Sequence, residues 1–120
     1  MTPSEIITAD CQKHNVDAQK VLNYVAALIK TKKAYLLQNS NSVLLVVMLS
    51  NKDAELHLFT ADQPVSLIKA VRKFIGQIKT TKLDRVYGKS DDPQVHAMLQ
   101  HAGVDVEKAD KPQFSWMANV

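Results

Sequence analysis

The hydrophobic pattern of the chain changes period along its length, and the changes divide it. Between Thr2 and Lys30 apolar residues recur every three or four positions, the spacing of one helical face. "TPSE" (Thr2–Glu5) is a capping box with Pro3 at the first helical position, so a short helix is expected to about Lys13. Asp17 caps a second helix, in which Val21, Leu22, Val25, Leu28 and Ile29 share a face, and "TKK" (Thr31–Lys33) ends it. From Ala34 the residues become β-branched and aliphatic. "AYLLQ" (Ala34–Gln38), "VLLVVMLS" (Val43–Ser50) and the alternating "ELHLFTA" (Glu55–Ala61) read as three strands. They are joined by the turn clusters "NSNS" (Asn39–Ser42) and "NKDA" (Asn51–Ala54). Val43 to Leu49 is apolar on both faces, which calls for helices above and below that strand.

The helical period then returns. Pro64 opens the longest helix, to about Thr80, with Leu67, Ile68, Val71, Ile75 and Ile78 as its buried stripe. "DRVYGK" (Asp84–Lys89) is a strand. "DDP" (Asp91–Pro93) caps a helix with Val95, Met98, Leu99 and Ala102 on its apolar face, and Gly103 stops it. "VDVEKAD" is either a strand or irregular. "QFSWMANV" closes the chain as a strand, whose alternation puts Phe114 and Trp116 on one face and Met117 on the other. The expected architecture is α/β (α+β), in the order α-α-β-β-β-α-β-α-β. It is one domain over 1–120, with a helical pair at 1–33, a β-meander at 34–61 and an α-β-α-β unit at 62–120. A meander followed by a β-α-β crossover requires a mixed sheet, with helices on both faces.

Composition narrows the function classes. The 120 residues carry 46% hydrophobic and 22% charged positions and a net charge of +3, ordinary for a globular domain and only mildly attractive to phosphate. Cys11 is the lone cysteine, so no internal disulfide can form; a packed thiol and a reducing compartment are expected. No signal-like or bilayer-spanning stretch is present, and an intracellular protein without a membrane partner is expected. His96 and His101 stand five apart, about 140° around a helix, where a helical metal pair wants four, so no metal is expected. No Gly-x-Ser-x-Gly pattern supports a hydrolase. Lys69, Arg72, Lys73, Lys79, Lys82, Arg85 and Lys89 crowd one stretch. Without interleaved aromatics for base stacking, a solvated or protein-binding face is the first reading and a nucleic-acid surface the second.

"KSDDPQVHAMLQHAGV" (Lys89–Val104) carries a resemblance. Strand, capped helix and closing strand resemble the C-terminal part of the GNAT N-acetyltransferase family, whose pattern is N-P-x-A-x-x-x-Y-x-x-x-G-F. Asp92–Pro93 stand for the N-P, Gly103 for the glycine and Val104 for the aromatic, with the spacing kept and the element order matching along nearly the whole chain. "LFTADQ", "VYGKSDDPQVHAMLQHAGV" and "QFSWMANV" also resemble small acetyltransferase-like proteins of tailed bacteriophages, of the internal virion protein A type. The resemblance implies a phage origin, a place in the host cytoplasm with possible virion association, and phage or host proteins as partners.

Two departures bear on chemistry. The family holds the acetyl-CoA pyrophosphate with Q/R-x-x-G-x-G/A before the long helix, where glycines allow close approach and the helix N-terminus supplies N–H donors. Here the junction "TADQPVSLIKAV" (Thr60–Val71) has no glycine, and Pro64 removes a donor. Thr60, Asp62, Gln63, Val65 and Ser66 are the weak cofactor candidates that remain. The tyrosine that protonates the leaving thiolate in the family falls at Leu99, which has no proton to give. If the chain is active, Glu55 and His57 are the candidate bases and Tyr87 the substitute acid, with acetyl-CoA as cofactor. The first reading is therefore a non-catalytic, assembly-associated phage protein, without cofactor, acting through protein contacts. Its partner surface would be Lys69, Arg72, Lys73 and Lys79 with Trp116 and Met117. The alternatives are an acyl-CoA-dependent N-acetyltransferase with an atypical site, or a small inhibitor of a host protein.

Overall fold

The computed structural model describes residues 1–90 and 92–120; Asp91, in the expected cap of the last helix, lies outside them. Helices α1 (Pro3–Lys13) and α2 (Ala18–Lys30) come first, then strands β1 (Ala34–Asn39), β2 (Ser42–Met48) and β3 (Asp53–Thr60). Helix α3 (Pro64–Lys79), β4 (Arg85–Gly88), α4 (Pro93–His101), β5 (Glu107–Lys108) and β6 (Trp116–Asn119) complete the order. The helix starts are those the cap residues specify. Thr2 and Glu5 form the reciprocal capping box, Asp17 accepts from the Gln19 and Lys20 N–H groups, and Asp92 accepts from that of Gln94. Gly103 stops α4 with φ +84, the left-handed conformation that glycine adopts without strain.

The strands form one mixed sheet in the order β1-β2-β3-β4-β6-β5. All neighbours are antiparallel except β3 and β4, which the α3 crossover makes parallel. The doubly apolar run becomes β2, buried from Ser42 through Val47. Its two sets of side chains belong to two cores. Val46 and Leu44 pack with Phe74, Ile75 and Ile78 of α3. Leu45 and Val47 pack with Ile7 and Cys11 of α1 and Val25 of α2. Cys11 is the packed thiol its position suggested: burial, then the Asp10 and Asp17 carboxylates, push its pKa up.

The C-terminal strand differs from its sequence pattern. It starts only at Trp116, so alternation does not extend to Phe114. The Phe114 ring lies 5.1 Å from that of Tyr87, whereas Trp116 pairs with Gly88 and its indole lies over that residue. Tyr87 and Gly88 are successive strand residues and point to opposite faces, so Phe114 and Trp116 lie on opposite faces of the sheet. The uncertain "VDVEKAD" stretch contributes only the two-residue strand β5.

The turn between β1 and β2 is held from a distance. Asp62 accepts from the Ser40 hydroxyl at 2.7 Å, the Ser42 hydroxyl at 2.6 Å and the Asn41 N–H at 3.1 Å. Burial opposes its ionisation, but these donors outweigh burial and hold the carboxyl below the ordinary aspartate value. A depressed folded-state pKa adds stability above the ordinary value, and this is lost as pH falls through the depressed one. Asp62→Asn is therefore expected to cost about 1–3 kcal/mol at neutral pH, with the gap closing in acid. Urea melts of both proteins at neutral and acid pH check this, and a pH-independent gap would refute it.

Candidate functional site

The parallel junction is where the sheet opens. β3 and β4 pair only from Asp53–Arg85 to Glu55–Tyr87. Beyond that, β3 stays with β2 as far as Thr60, while β4 ends at Gly88 and leads toward α4. The strands part, and the gap is a cleft of about 470 Å³, within the range of small-ligand sites. Leu67, Val71 and Phe74 of α3 form one wall, and Val95, Met98 and Leu99 of α4 another.

One edge of the cleft is unpaired backbone. Ala61 donates its N–H to Asn41 O, on the β2 side. Alternation therefore turns the Leu58 and Thr60 amides away from β2, toward the cleft. Thr60 N–H is taken by the Asp10 carboxylate of α1 at 3.1 Å. Leu58 lines the cleft beyond the last β3–β4 pair, and its backbone N–H faces the gap.

Titratable groups gather at the lip. Glu55 and His57 are two apart on β3 and share a face, with His57 Nε2 2.9 Å from Glu55 Oε2. The contact is close without being an aligned hydrogen bond, since both atoms lack a hydrogen-bond partner. Lys89, on the cleft wall, places Nζ 3.7 Å from the same Glu55 oxygen. The Glu55 side chain is 9% exposed and the His57 ring 32%, so the carboxylate is enclosed while the imidazole reaches solvent. At the C-cap of α1, His14 Nδ1 sits 3.5 Å from Asp10 Oδ2, at the same mouth.

Among the sequence candidates, Glu55 and His57 are thus brought together, with His57 lining the cleft and Glu55 behind it. Tyr87 is not. It is fully buried, and its hydroxyl donates to Asp110 Oδ1 at 3.0 Å. Lys111 lies over its ring, and burial first, then the Asp110 hydrogen bond, raises its pKa, so it serves the packing of the 107–115 segment. Leu99 stands in the cleft wall where the resemblance would place the phenol. Trp116 is 5% exposed and walls the cleft from within, while Met117 is half-buried. Lys89 and Asp10 were not among the sequence candidates. Asp10 carries no local motif and Lys89 read only as one of a basic run, and the parting of β3 and β4 and the α1–β3 contact bring them here.

The cofactor candidates divide. Thr60 and Asp62 are engaged in the turn, Thr60 Oγ1 meeting Ser42 Oγ at 2.7 Å. Gln63 is the α3 N-cap but makes no side-chain cap, unlike Thr2, Asp17 and Asp92, and Val65 and Ser66 are exposed in the first turn. The α3 entrance does not suit a pyrophosphate: Pro64 lacks an N–H, no glycine admits close approach, and Asp62 adds a negative charge one residue before the cap.

No family model matches the chain. No curated protein matches it either. Solved structures do. The microcin C7 self-immunity acetyltransferase MccE, in complex with acetyl-CoA and AMP, aligns with a TM-score of 0.55 at 16% identity, over 86% of this chain and 67% of that one. The Campylobacter jejuni N-acetyltransferase PseH, in complex with acetyl coenzyme A, aligns with a TM-score of 0.56 at 11% identity, over 100% and 92%. A spermidine N-acetyltransferase SpeG chimera from Vibrio cholerae aligns with a TM-score of 0.52 at 10% identity, over 86% and 74%. At these identities the likeness is one of fold, and the fold is GNAT-like.

Proposed function

We propose that the chain is an acyltransferase that moves an acyl group from a thioester to an amine in the β3–β4 cleft. The reading reverses the order expected from the sequence, where a non-catalytic role stood first and acyl transfer was an alternative. The observation that carries it is the Glu55–His57 pair at 2.9 Å, set at the lip of the cleft where β3 loses its partner strand. A purely structural protein has no need of a buried carboxylate held against a half-exposed imidazole beside an open strand edge. The GNAT-like fold of acetyl-CoA-bound acetyltransferases supports the same reading. A particle-assembly role draws nothing from these comparisons.

The chemistry follows from the positions. The thioester arm lies along the Leu58 edge with its amide groups on the backbone. The acceptor amine enters from the His57 side. Its nitrogen lone pair attacks the thioester carbonyl, a C–N bond forms, the C–S bond breaks and the thiolate leaves. With Nε2 turned to Glu55, Nδ1 is the ring nitrogen left to take the proton shed by the amine, and the carboxylate stabilises the imidazolium. No phenol serves the departing sulfur, since Leu99 fills that place. Lys89, the cation on the wall, meets its negative charge until solvent or His57 returns a proton.

The test is direct. The purified chain is incubated with acetyl-pantetheine and a panel of primary amines, and free thiol and acetylated amine are measured together. Equal release of both products is expected with at least one amine. If neither the thiol nor the amide exceeds the uncatalysed level, the reading fails.

A further inference from the structure

Taking acyl transfer in this cleft as the premise, we infer that the acyl donor arrives on an acidic carrier protein, its thioester borne on a pantetheine arm, rather than on free coenzyme A. The two ends of the donor path disagree. The inner end is built: a cleft of about 470 Å³, an open strand edge at Leu58 and a proton-handling pair. The outer end lacks what a free nucleotide needs, because Pro64 opens α3 without an N–H and Asp62 brings negative charge. The affinity that a pyrophosphate cradle would supply has to come from elsewhere.

Helix α3 offers a source. Its inner face lines the cleft through Leu67, Val71 and Phe74. Its outer face carries Lys69, Arg72, Lys73 and Lys79, all exposed. They stand three, four and seven residues apart, so they form one stripe, and Gly76 between them adds no side chain. None of the four is within ion-pair distance of an acidic side chain among the described residues. Four cations on one helix, without ion-pair partners among the described residues, are complementary to a strongly acidic surface. An α-helix is about 10–12 Å across, so a carrier seated on the outer face need only send its arm past the first turn of α3 to reach the cleft. Attraction of this kind acts mostly on encounter and is weakened by salt.

The experiment compares four probes by calorimetry and by acyl transfer: a bacterial acyl carrier protein in acetyl-holo form, the same protein without its arm, acetyl-pantetheine and acetyl-CoA. The acetyl-carrier is expected to exceed acetyl-CoA in kcat/KM by roughly 100-fold at low salt, within the range of electrostatic steering. The armless carrier should bind, more weakly. Salt and the double reversal Lys69→Glu/Lys73→Glu should each lower the ratio of carrier-dependent to acetyl-pantetheine-dependent turnover. Acetyl-CoA used as well as the carrier overturns the inference and leaves acyl transfer standing, as does a ratio unmoved by charge reversal. If none of the three thioesters binds or reacts, the acyltransferase reading falls and takes the carrier with it.

Discussion

Replacing His57 by glutamine is expected to lower kcat/KM for amine acylation by about 10²–10⁴-fold, the usual worth of a positioned general base. The ring is 32% exposed and lies at the cleft lip, so glutamine can fill its place without opening the core. The loss should fall on kcat, because His57 touches the proton in flight and not the thioester arm, whose contacts are along Leu58 and the walls of α3 and α4. Glu55→Gln acts through the ring. It keeps shape and hydrogen-bonding capacity but removes the charge that stabilises the imidazolium, so kcat falls and the acid limb of the pH–rate profile moves to lower pH. The two variants combined should lose little more than His57→Gln alone, since the carboxylate has no ring left to act on. Full activity in His57→Gln would move the base to another group, with His14 and its Asp10 partner the next candidates at the same mouth. Measuring acetyl-pantetheine binding alongside keeps a loss of chemistry apart from a loss of the site.

The fold was legible because its signals are local. The capping box at Thr2–Glu5, the prolines opening α1, α3 and α4, and Gly103 each fix a boundary by backbone chemistry. The apolar run of β2 announces a strand covered on both faces. Element order then leaves few topologies once a parallel β3–β4 crossover is required. Phe114 was misplaced because alternation was extended through Ser115, where the ladder has not begun. That start is set by the Ser115 N–H bonding to Gly88 O, a contact between distant segments. The site was half legible. Glu55 and His57 could be paired from spacing alone, since residues two apart on a strand share a face. Tyr87 could not be dismissed from sequence, because what removes it is Asp110, 23 residues on, which captures its hydroxyl. Asp10 carries no motif and Lys89 read only as one of a basic run, and their place at the cleft depends on where two strands part and where α1 lies on β3. The missing glycines and the leucine at position 99 argue against one kind of donor binding and one kind of acid. They leave the Glu55–His57 pair and the cleft intact.

Trp116→Ala is expected to be the most destabilising single change in the C-terminal half, at about 3–5 kcal/mol, as for other buried large-to-alanine substitutions. The indole is 5% exposed and belongs to the core that α3 and α4 share with β2 and β4. Its removal leaves a void that continues the cleft, so the neighbours have little reason to collapse into it. With total stabilities of domains this size at about 5–15 kcal/mol, thermal unfolding should begin roughly 10 °C lower or more. The reason the indole can lie so close to the sheet is Gly88, its partner across β4–β6, where a Cβ would overlap the ring. Gly88→Ala alone should therefore cost about 1–3 kcal/mol by overpacking. In the Trp116→Ala background the same methyl enters the void, and its cost should vanish or change sign. The cycle of two single variants and the double one thus predicts strong non-additivity. Denaturant melts of the four proteins measure it. Additive costs would mean that the indole does not rest on Gly88, and a stable Trp116→Ala would return this residue to the outer surface as a docking element.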